Sequence, residues 1–324
     1  KHHWINKKKE VAEMAERGTN KILIGYLCAI GTEIIFGMSY IFTKQGVNEA
    51  STFALLGWRF FTGFAIMSLC ILAGIVKVNF RGKNFKNILA IALFSPVIYY
   101  ICETFGISHT TASESGVFIA TLPVVSFLAS AVILHKKPTR SQLIGVLVTL
   151  GGVVVTILAV DATASFSVVG YAFLLAGVTS YAIYSTLVER ETQFSGAEIT
   201  YIMLVAGAFV YTLIAIIEAI TQDNLGFLVT LPFKNTAFLT AVLYQGIGCS
   251  ILAFFMSNVA IANIGVNRNA SLIGISTVVS IISGVVFMHE SFTAYQLVGA
   301  IVIIAGVYIA NISMLRRNKE NGEK

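Results

Sequence analysis

The sequence predicts an all-α integral membrane protein whose ten transmembrane helices form two inverted five-helix repeats. Three observations lead to this fold class. The 324 residues are 56% hydrophobic and only 12% charged, whereas soluble domains carry about 25% charged residues. The apolar residues fall into ten runs of the length that crosses a bilayer, about 20 residues. Identical residues recur at a constant offset between the first five runs and the last five.

The composition excludes an ordinary soluble enzyme, a disordered chain and a nucleic-acid-binding protein, although the net charge is +6. A chain this apolar has the lipid bilayer as its partner, and we expect no nucleic acid. The four cysteines lie far apart within apolar runs, so they are interpreted as small buried hydrophobic residues rather than metal ligands.

Ten predicted spans account for most of the chain. The segments between them leave no room for a soluble domain of about 50 residues, and soluble helices average only about 11–12 residues. Residues 1–20 form a polar N-terminal tail, and residues 315–324 form a basic C-terminal tail. The predicted spans are 21–43, 52–74, 87–108, 114–134, 141–160, 168–188, 198–220, 236–258, 269–288 and 293–314.

Lysine and arginine predict the orientation of the spans. With ten spans both tails lie on one side of the membrane, and that side carries 19 of the 22 Lys and Arg residues. The loops of the other side hold only Lys44 and Lys234, and Arg59 lies within a span. Because cytoplasmic loops are enriched in Lys and Arg, we expect both tails in the cytoplasm.

An internal repeat divides the chain into residues 21–160 and 168–314. Each copy holds five spans, an odd number, so the second copy must be inverted relative to the first. Inverted repeats are typical of secondary transporters, in which two similar halves open one central site to either side in turn. At an offset of 154 positions the matched pairs are His135 with His289, Thr139 with Thr293, Gly145 with Gly299, and Gly152 with Gly306.

The glycines of these pairs have a structural interpretation. Gly145 and Gly152 are seven positions apart, as are Gly299 and Gly306, so each pair shares one face of its helix. Small residues let membrane helices approach closely. We therefore expect spans 5 and 10 to present close-packing surfaces there.

Motifs along the whole chain make it resemble the ten-helix EamA branch of the drug/metabolite transporter superfamily. They are EIIFGMSYIFTK (33–44), LLGWRF (55–60), ETFGISHTTASESGVFIATLPVV (103–125) and SLIGISTVVSIISGVVFMHESFTAYQLVGAIVIIAGV (271–307). The resemblance implies a multi-pass carrier of small metabolites in the bacterial inner membrane, often an exporter of amino acids. The chain departs from the family pattern at Lys136, where a Glu is usual, and at Phe36-Gly37, where Trp-Gly is common.

Three ionisable residues lie well inside predicted spans rather than at their ends, and such groups are rare there and by default suggest function. They are Glu33, Arg59 and Glu103. Three roles remain open: a bridge between Arg59 and a carboxylate that only holds spans 1–3 together, binding of a substrate or a coupling proton, or contact between Arg59 and lipid headgroups.

A second group of candidates interrupts helices or adds polar groups near mid-membrane, where transporters break helices around their sites. The predicted break positions are Pro96, Pro123, Gly246 and Gly248, and the predicted site side chains are Gln245, Tyr181 and Tyr184. For small polar side chains, helix packing is the alternative role.

The leading hypothesis is a secondary carrier rather than an enzyme, because no complete catalytic set, P-loop or HExxH motif occurs in the sequence. We expect no cofactor and no metal. The single cation within a span favours a small, zwitterionic substrate moved outward, with Arg59 facing a carboxylate and an acid facing an ammonium. A membrane-embedded metabolite sensor or scaffold is the alternative, and the sequence leaves proton coupling and a homodimer open.

Overall fold

The computed structural model describes residues 2–109, 121–158, 167–288 and 294–322, and these ranges contain helices and loops but no β-strand. Two short π-helical stretches continue α-helices, π1 after α3 and π2 after α10. The α-helices are α1 His2–Glu49, α2 Thr52–Leu72, α3 Phe85–Ala92, α4 Tyr99–Ser108, α5 Leu122–Ile133, α6 Arg140–Leu158, α7 Val168–Arg190, α8 Gly196–Thr221, α9 Leu225–Lys234, α10 Thr236–Leu243, α11 Phe254–Ile264, α12 Val266–Ser271, α13 Gly274–Met288 and α14 Ala294–Gly322; π1 is Leu93–Ile98 and π2 is Tyr244–Ala253.

Membrane-spanning length recurs along the chain. Within the described ranges, six helices are long and apolar enough to cross a bilayer, and shorter apolar helices occur at residues 122–133, 140–155, 225–234 and 297–311. The six are Asn20–Glu49, Thr52–Leu72, Phe85–Gly106, Val168–Arg190, Gly196–Thr221 and Thr236–Ile264.

The structure differs from the predicted spans in three places. Helix α1 begins at His2 and runs unbroken through the predicted tail. Helix α9 was not predicted, because its 10 residues are too few to cross a bilayer. Predicted span 9 is divided: α12 ends at Ser271 and α13 begins at Gly274. The first residues of predicted span 4 and the loop at 289–293 lie outside the described ranges.

Side-chain caps explain several helix starts. The Ser51 hydroxyl accepts a hydrogen bond from the Ala54 amide at 3.1 Å and begins α2. At α8, Ser195 and Glu198 form a reciprocal capping box. Such caps satisfy amides that a helix leaves unpaired at its first turn. The serine caps therefore set where α2 and α8 begin.

The loops gather at two ends of the bundle. At the first end, which we call the tail face, Lys83 contacts Glu198 at 2.6 Å and Lys136 contacts Glu189 at 2.6 Å. At the opposite face Ser51 hydrogen-bonds Glu218. The tail-face loops also carry most of the cations found in the described loops.

Helices α6 and α14 pack backbone to backbone, which confirms the predicted close-packing glycine surface. Gly145 lies against the Ala310 amide, and a Cβ atom placed on Gly152 would lie 2.8 Å from the Gly299 carbonyl oxygen. Because real Cβ atoms do not approach other atoms so closely, these positions leave no space for a side chain. The two helices belong to different copies of the sequence repeat.

This seam predicts a contrast between two glycines of α6. Gly145→Ala should lower the thermal unfolding temperature of the detergent-solubilised protein, because overpacking costs about 1–3 kcal/mol. Gly151→Ala is the matched control, since a Cβ atom at Gly151 meets nothing within 4 Å. Equal unfolding temperatures for the two variants would contradict the packing argument.

Candidate functional site

Polar and aromatic side chains from six elements meet in the interior of the bundle. They project from α1, α2, α4, α7, π2 and α11, which surround the middle of the molecule. We call this cluster the central site; its members are Glu33, Arg59, Tyr99, Tyr100, Glu103, Tyr181, Tyr184, Ser250, Ser257 and Asn258.

Arg59 of α2 is 6% exposed and is held by hydroxyl groups. Its Nε donates to Ser250 Oγ at 2.8 Å, and its Nη2 donates to the Tyr100 hydroxyl at 2.8 Å. The guanidinium carbon also lies 4.7 Å from the centre of the Tyr100 ring, within cation–π range. In the part of the chain that the structure describes, no carboxylate lies within 4.0 Å of Arg59, so the bridge that was one of its three open roles is not formed there.

Glu103 of α4 lies one turn beyond Tyr99. The Tyr99 hydroxyl donates to Glu103 Oε1 at 2.7 Å, and in the described part of the chain this carboxylate does not lie within 4.0 Å of Arg59. The central site thus holds a cation and an acid that face the same interior but do not form a contact ion pair. Arg59 is buried, whereas Glu103 is half-buried.

Glu33 of α1 occupies another part of the central site. Its side chain is 5% exposed, and one turn further along α1 a Cβ atom on Gly37 would lie 2.6 Å from the Ser276 carbonyl oxygen of α13. Among the described residues no Lys or Arg lies within 4.0 Å of this carboxyl group. Glu33 is therefore a second acid of the site that forms no ion pair within the described ranges.

Four tyrosine rings connect the two charged regions. The ring centres of Tyr99 and Tyr100 are 5.0 Å apart, those of Tyr99 and Tyr181 are 5.6 Å apart, and those of Tyr181 and Tyr184 are 5.4 Å apart. The Tyr184 hydroxyl donates to Asn258 Oδ1 at 2.7 Å. The rings give the site an apolar, aromatic wall with polar edges.

The backbone departs from the α-helix at π1, next to the central site. Ser95 has φ −143° and ψ 122°, and Pro96 follows it; a residue before proline is disfavoured in the α conformation. The freed carbonyl groups find partners on other helices. Ser180 Oγ donates to Phe94 O at 2.7 Å, and the Tyr211 hydroxyl donates to Val97 O at 2.9 Å.

A second departure, π2, contains Gly246 and Gly248. A Cβ atom on Gly246 would lie 3.0 Å from the Arg59 carbonyl oxygen, so this glycine lets π2 approach α2 closely. That approach brings Ser250 of π2 to the Arg59 side chain. Pro123 lies instead in the first turn of α5, where proline is tolerated.

Gln245 points to α1 rather than to the central site. Its Nε2 donates to Ser39 O at 3.0 Å and to Thr43 Oγ1 at 2.5 Å. Its Oε1 is buried and meets no hydrogen-bond partner among the described residues. The described contacts of this side chain join π2 to α1.

Sequence reasoning did not single out Tyr99, Tyr100 or Asn258. Asn258 lies in predicted span 8 and carries an amide, as Gln245 does, so the same rule for amides in hydrocarbon would have found it. Its Nδ2 donates to Thr200 Oγ1 at 3.0 Å. Tyr99 and Tyr100 had one signal, their position just after Pro96.

Known proteins resemble this chain over most of its length. A crystal structure of another protein superposes with a TM-score of 0.70 at 18% identity, covering 92% of this chain and 98% of the other. "Uncharacterized transporter YcxC" of Bacillus subtilis (strain 168) is 32% identical over 300 residues, which cover 92% of this chain and 96% of that protein. A "Probable terminal-alkyne amino-acid exporter" of Streptantibioticus cattleyicolor is 27% identical over 257 residues, which cover 79% of this chain and 83% of that protein.

A family model also matches the chain. The model of the EamA-like transporter family matches residues 23–158 and, a second time, residues 168–312. Together the two matches cover most of the chain, and the apolar helices fit a protein that crosses the membrane several times. The protein is thus a multi-pass membrane protein and belongs to the EamA-like transporter family.

Proposed function

We propose that the protein is a secondary carrier that exports a small, amino-acid-like zwitterion across the bacterial inner membrane by alternating access. The observation that carries this proposal is the buried Arg59, whose described side-chain partners are the hydroxyls of Ser250 and Tyr100. A substrate carboxylate could replace or extend these contacts. Glu33 and Glu103 offer two acids for a substrate ammonium in the same site.

The charge balance of the central site favours a zwitterion over a polyanion. One guanidinium and two carboxyl groups line the described part of the site. A phosphate ester or nucleotide-sugar carries two or more negative charges and would require several cations. The tyrosine rings suit the apolar portion of an amphipathic molecule, and they can also attract an ammonium group.

Alternating access is supported by the repeat. The same family model matches each half of the chain separately, as expected for ten helices arranged as two inverted five-helix halves, 21–160 and 168–314. The name of the Streptantibioticus relative describes an amino-acid exporter, which supports the substrate class and the outward direction. A membrane-embedded sensor would bind the same molecule without moving it.

The proposed orientation places the tail face and both termini in the cytoplasm. Reporter fusions after Lys324 and after Asn224 should therefore report opposite sides of the membrane, because α8 carries the chain across between the tail face and Asn224. Enzymatic reporters active on one side only can make this measurement. The same side for both fusions would refute the ten-helix topology.

Arg59→Gln should weaken substrate binding and transport about 10- to 100-fold, because hydrogen bonds to charged groups contribute about 1.5–3 kcal/mol. Binding is measured by thermal shift with a panel of the common amino acids, and transport by flux of the best ligand in proteoliposomes. Arg81→Gln is the control, since Arg81 is exposed in a tail-face loop.

Three outcomes separate a substrate contact from a structural role of Arg59, and a carrier from a sensor. Loss of binding with an unchanged unfolding temperature supports a substrate contact. Loss of stability with unchanged binding would show that Arg59 only holds helices together. Ligand binding by the parent protein without any flux would indicate the sensor.

Glu33→Gln tests proton coupling, because the amide retains the shape and hydrogen bonding of the carboxyl group but does not titrate. If Glu33 carries the coupling proton, the variant should exchange substrate across the membrane yet fail to accumulate it in response to a pH gradient. Glu49→Gln is the control, since Glu49 lies at the exposed end of α1. Accumulation at the parental level would exclude Glu33 as the coupling group.

A further inference from the structure

A cleft of about 560 Å³ opens at the tail face, away from the central site. It lies where the loop before α6, the end of α7 and the α11–α12 junction meet. We call it the tail-face cleft; its principal polar lining residues are Ser130, Lys136, Lys137, Glu189, Asn267 and Arg268. None of these side chains belongs to the central site.

The acid of the cleft is already neutralised. Glu189 Oε1 accepts from Lys136 Nζ at 2.6 Å, and Glu189 Oε2 accepts from the Val266 amide at 2.6 Å. Gly265, with φ +81°, makes this arrangement fit, because a Cβ atom there would lie 3.0 Å from Glu189 Oε1. The loop therefore fixes the carboxylate against its two donors.

Two cations of the cleft remain without an acid. Lys137 and Arg268 both line it, and neither forms an ion pair within the described ranges. Lys137 is exposed and Arg268 is half-buried. With Lys136 and Glu189 cancelling each other, the cleft carries two positive charges that face a shared space.

The cleft also contains a hydrogen-bonding group that lacks a partner. Ser130 lines it and is 0% exposed, and its Oγ meets no hydrogen-bond partner among the described residues. A buried hydroxyl without a partner costs about 1–3 kcal/mol. Because Ser130 is fully buried, a ligand oxygen can reach this hydroxyl only if the wall of the cleft moves.

We propose that the tail-face cleft binds an anionic phosphate group, held by Lys137 and Arg268. A volume of about 560 Å³ lies within the usual range for small-ligand pockets, about 300–1,000 Å³. The phosphate can belong to an anionic lipid or to a soluble phosphate. Basic pockets at the cytoplasmic ends of membrane helices are suited to anionic headgroups.

The test uses the full-length protein purified in neutral detergent, with two probes. Phosphatidylglycerol retention is counted by native mass spectrometry, and the response to inorganic phosphate is measured as a thermal shift against chloride at equal ionic strength. The variant is Lys137→Gln with Arg268→Gln. The matched control is Lys77→Gln with Arg81→Gln, which removes two exposed tail-face cations outside the cleft.

We expect the cleft variant to bind at least one probe tenfold more weakly than the parent, and the control to bind it as the parent does. A loss confined to phosphatidylglycerol identifies a lipid headgroup, whereas a loss of the inorganic phosphate response identifies a soluble source. Equal binding by the cleft variant and the control, or no binding of either probe by the parent, would overturn the proposal. If the double variant does not fold, Lys137→Gln alone, at an exposed side chain, against Lys77→Gln gives the same comparison.

Discussion

Hydrocarbon offers no hydrogen bonds, so each polar group of a membrane protein needs its partner within the protein, and the central site depends on this constraint. At π1 the backbone opens and exposes carbonyl groups. Ser180 of α7 and Tyr211 of α8 donate to them. The same contacts that satisfy the backbone also tie three helices around the site, so the irregular backbone positions α7 and α8 beside α4.

The constraint governs the side chains as well. Arg59 brings a full charge into the bundle, and hydroxyls of π2 and α4 receive its hydrogen bonds. Asn258 is satisfied by Tyr184 and Thr200 from two further helices. Arg59 and Asn258 thus each join several helices. A substrate that engages Arg59 would compete with these contacts, which gives binding a direct means of shifting the packing of the helices.

The sequence predicted those features of the fold that depend on a single segment of the chain. Apolar length located the long helices, and proline located the departure at π1, because both act within one segment of chain. Charge rarity singled out Arg59, Glu33 and Glu103. The partners of Arg59 were not predictable, since the rotation of each helix about its axis and the approach of π2 to α2 decide which hydroxyl faces the guanidinium. Helix α9 was missed because it lies between spans and is too short to be recognised by the length that crosses a bilayer.

The glycine seam between α6 and α14 has a genetic consequence. Every missense change of a glycine codon adds at least one carbon atom, and at Gly145, Gly152 and Gly306 that atom would meet the backbone of the facing helix. The seam therefore has no mild variant within reach of a single mutation, whereas Gly151 on the neighbouring face can vary at little cost. A change at one seam position would need a compensating backbone shift in the partner helix. At this seam, substitutions in α6 and in α14 are therefore coupled to each other.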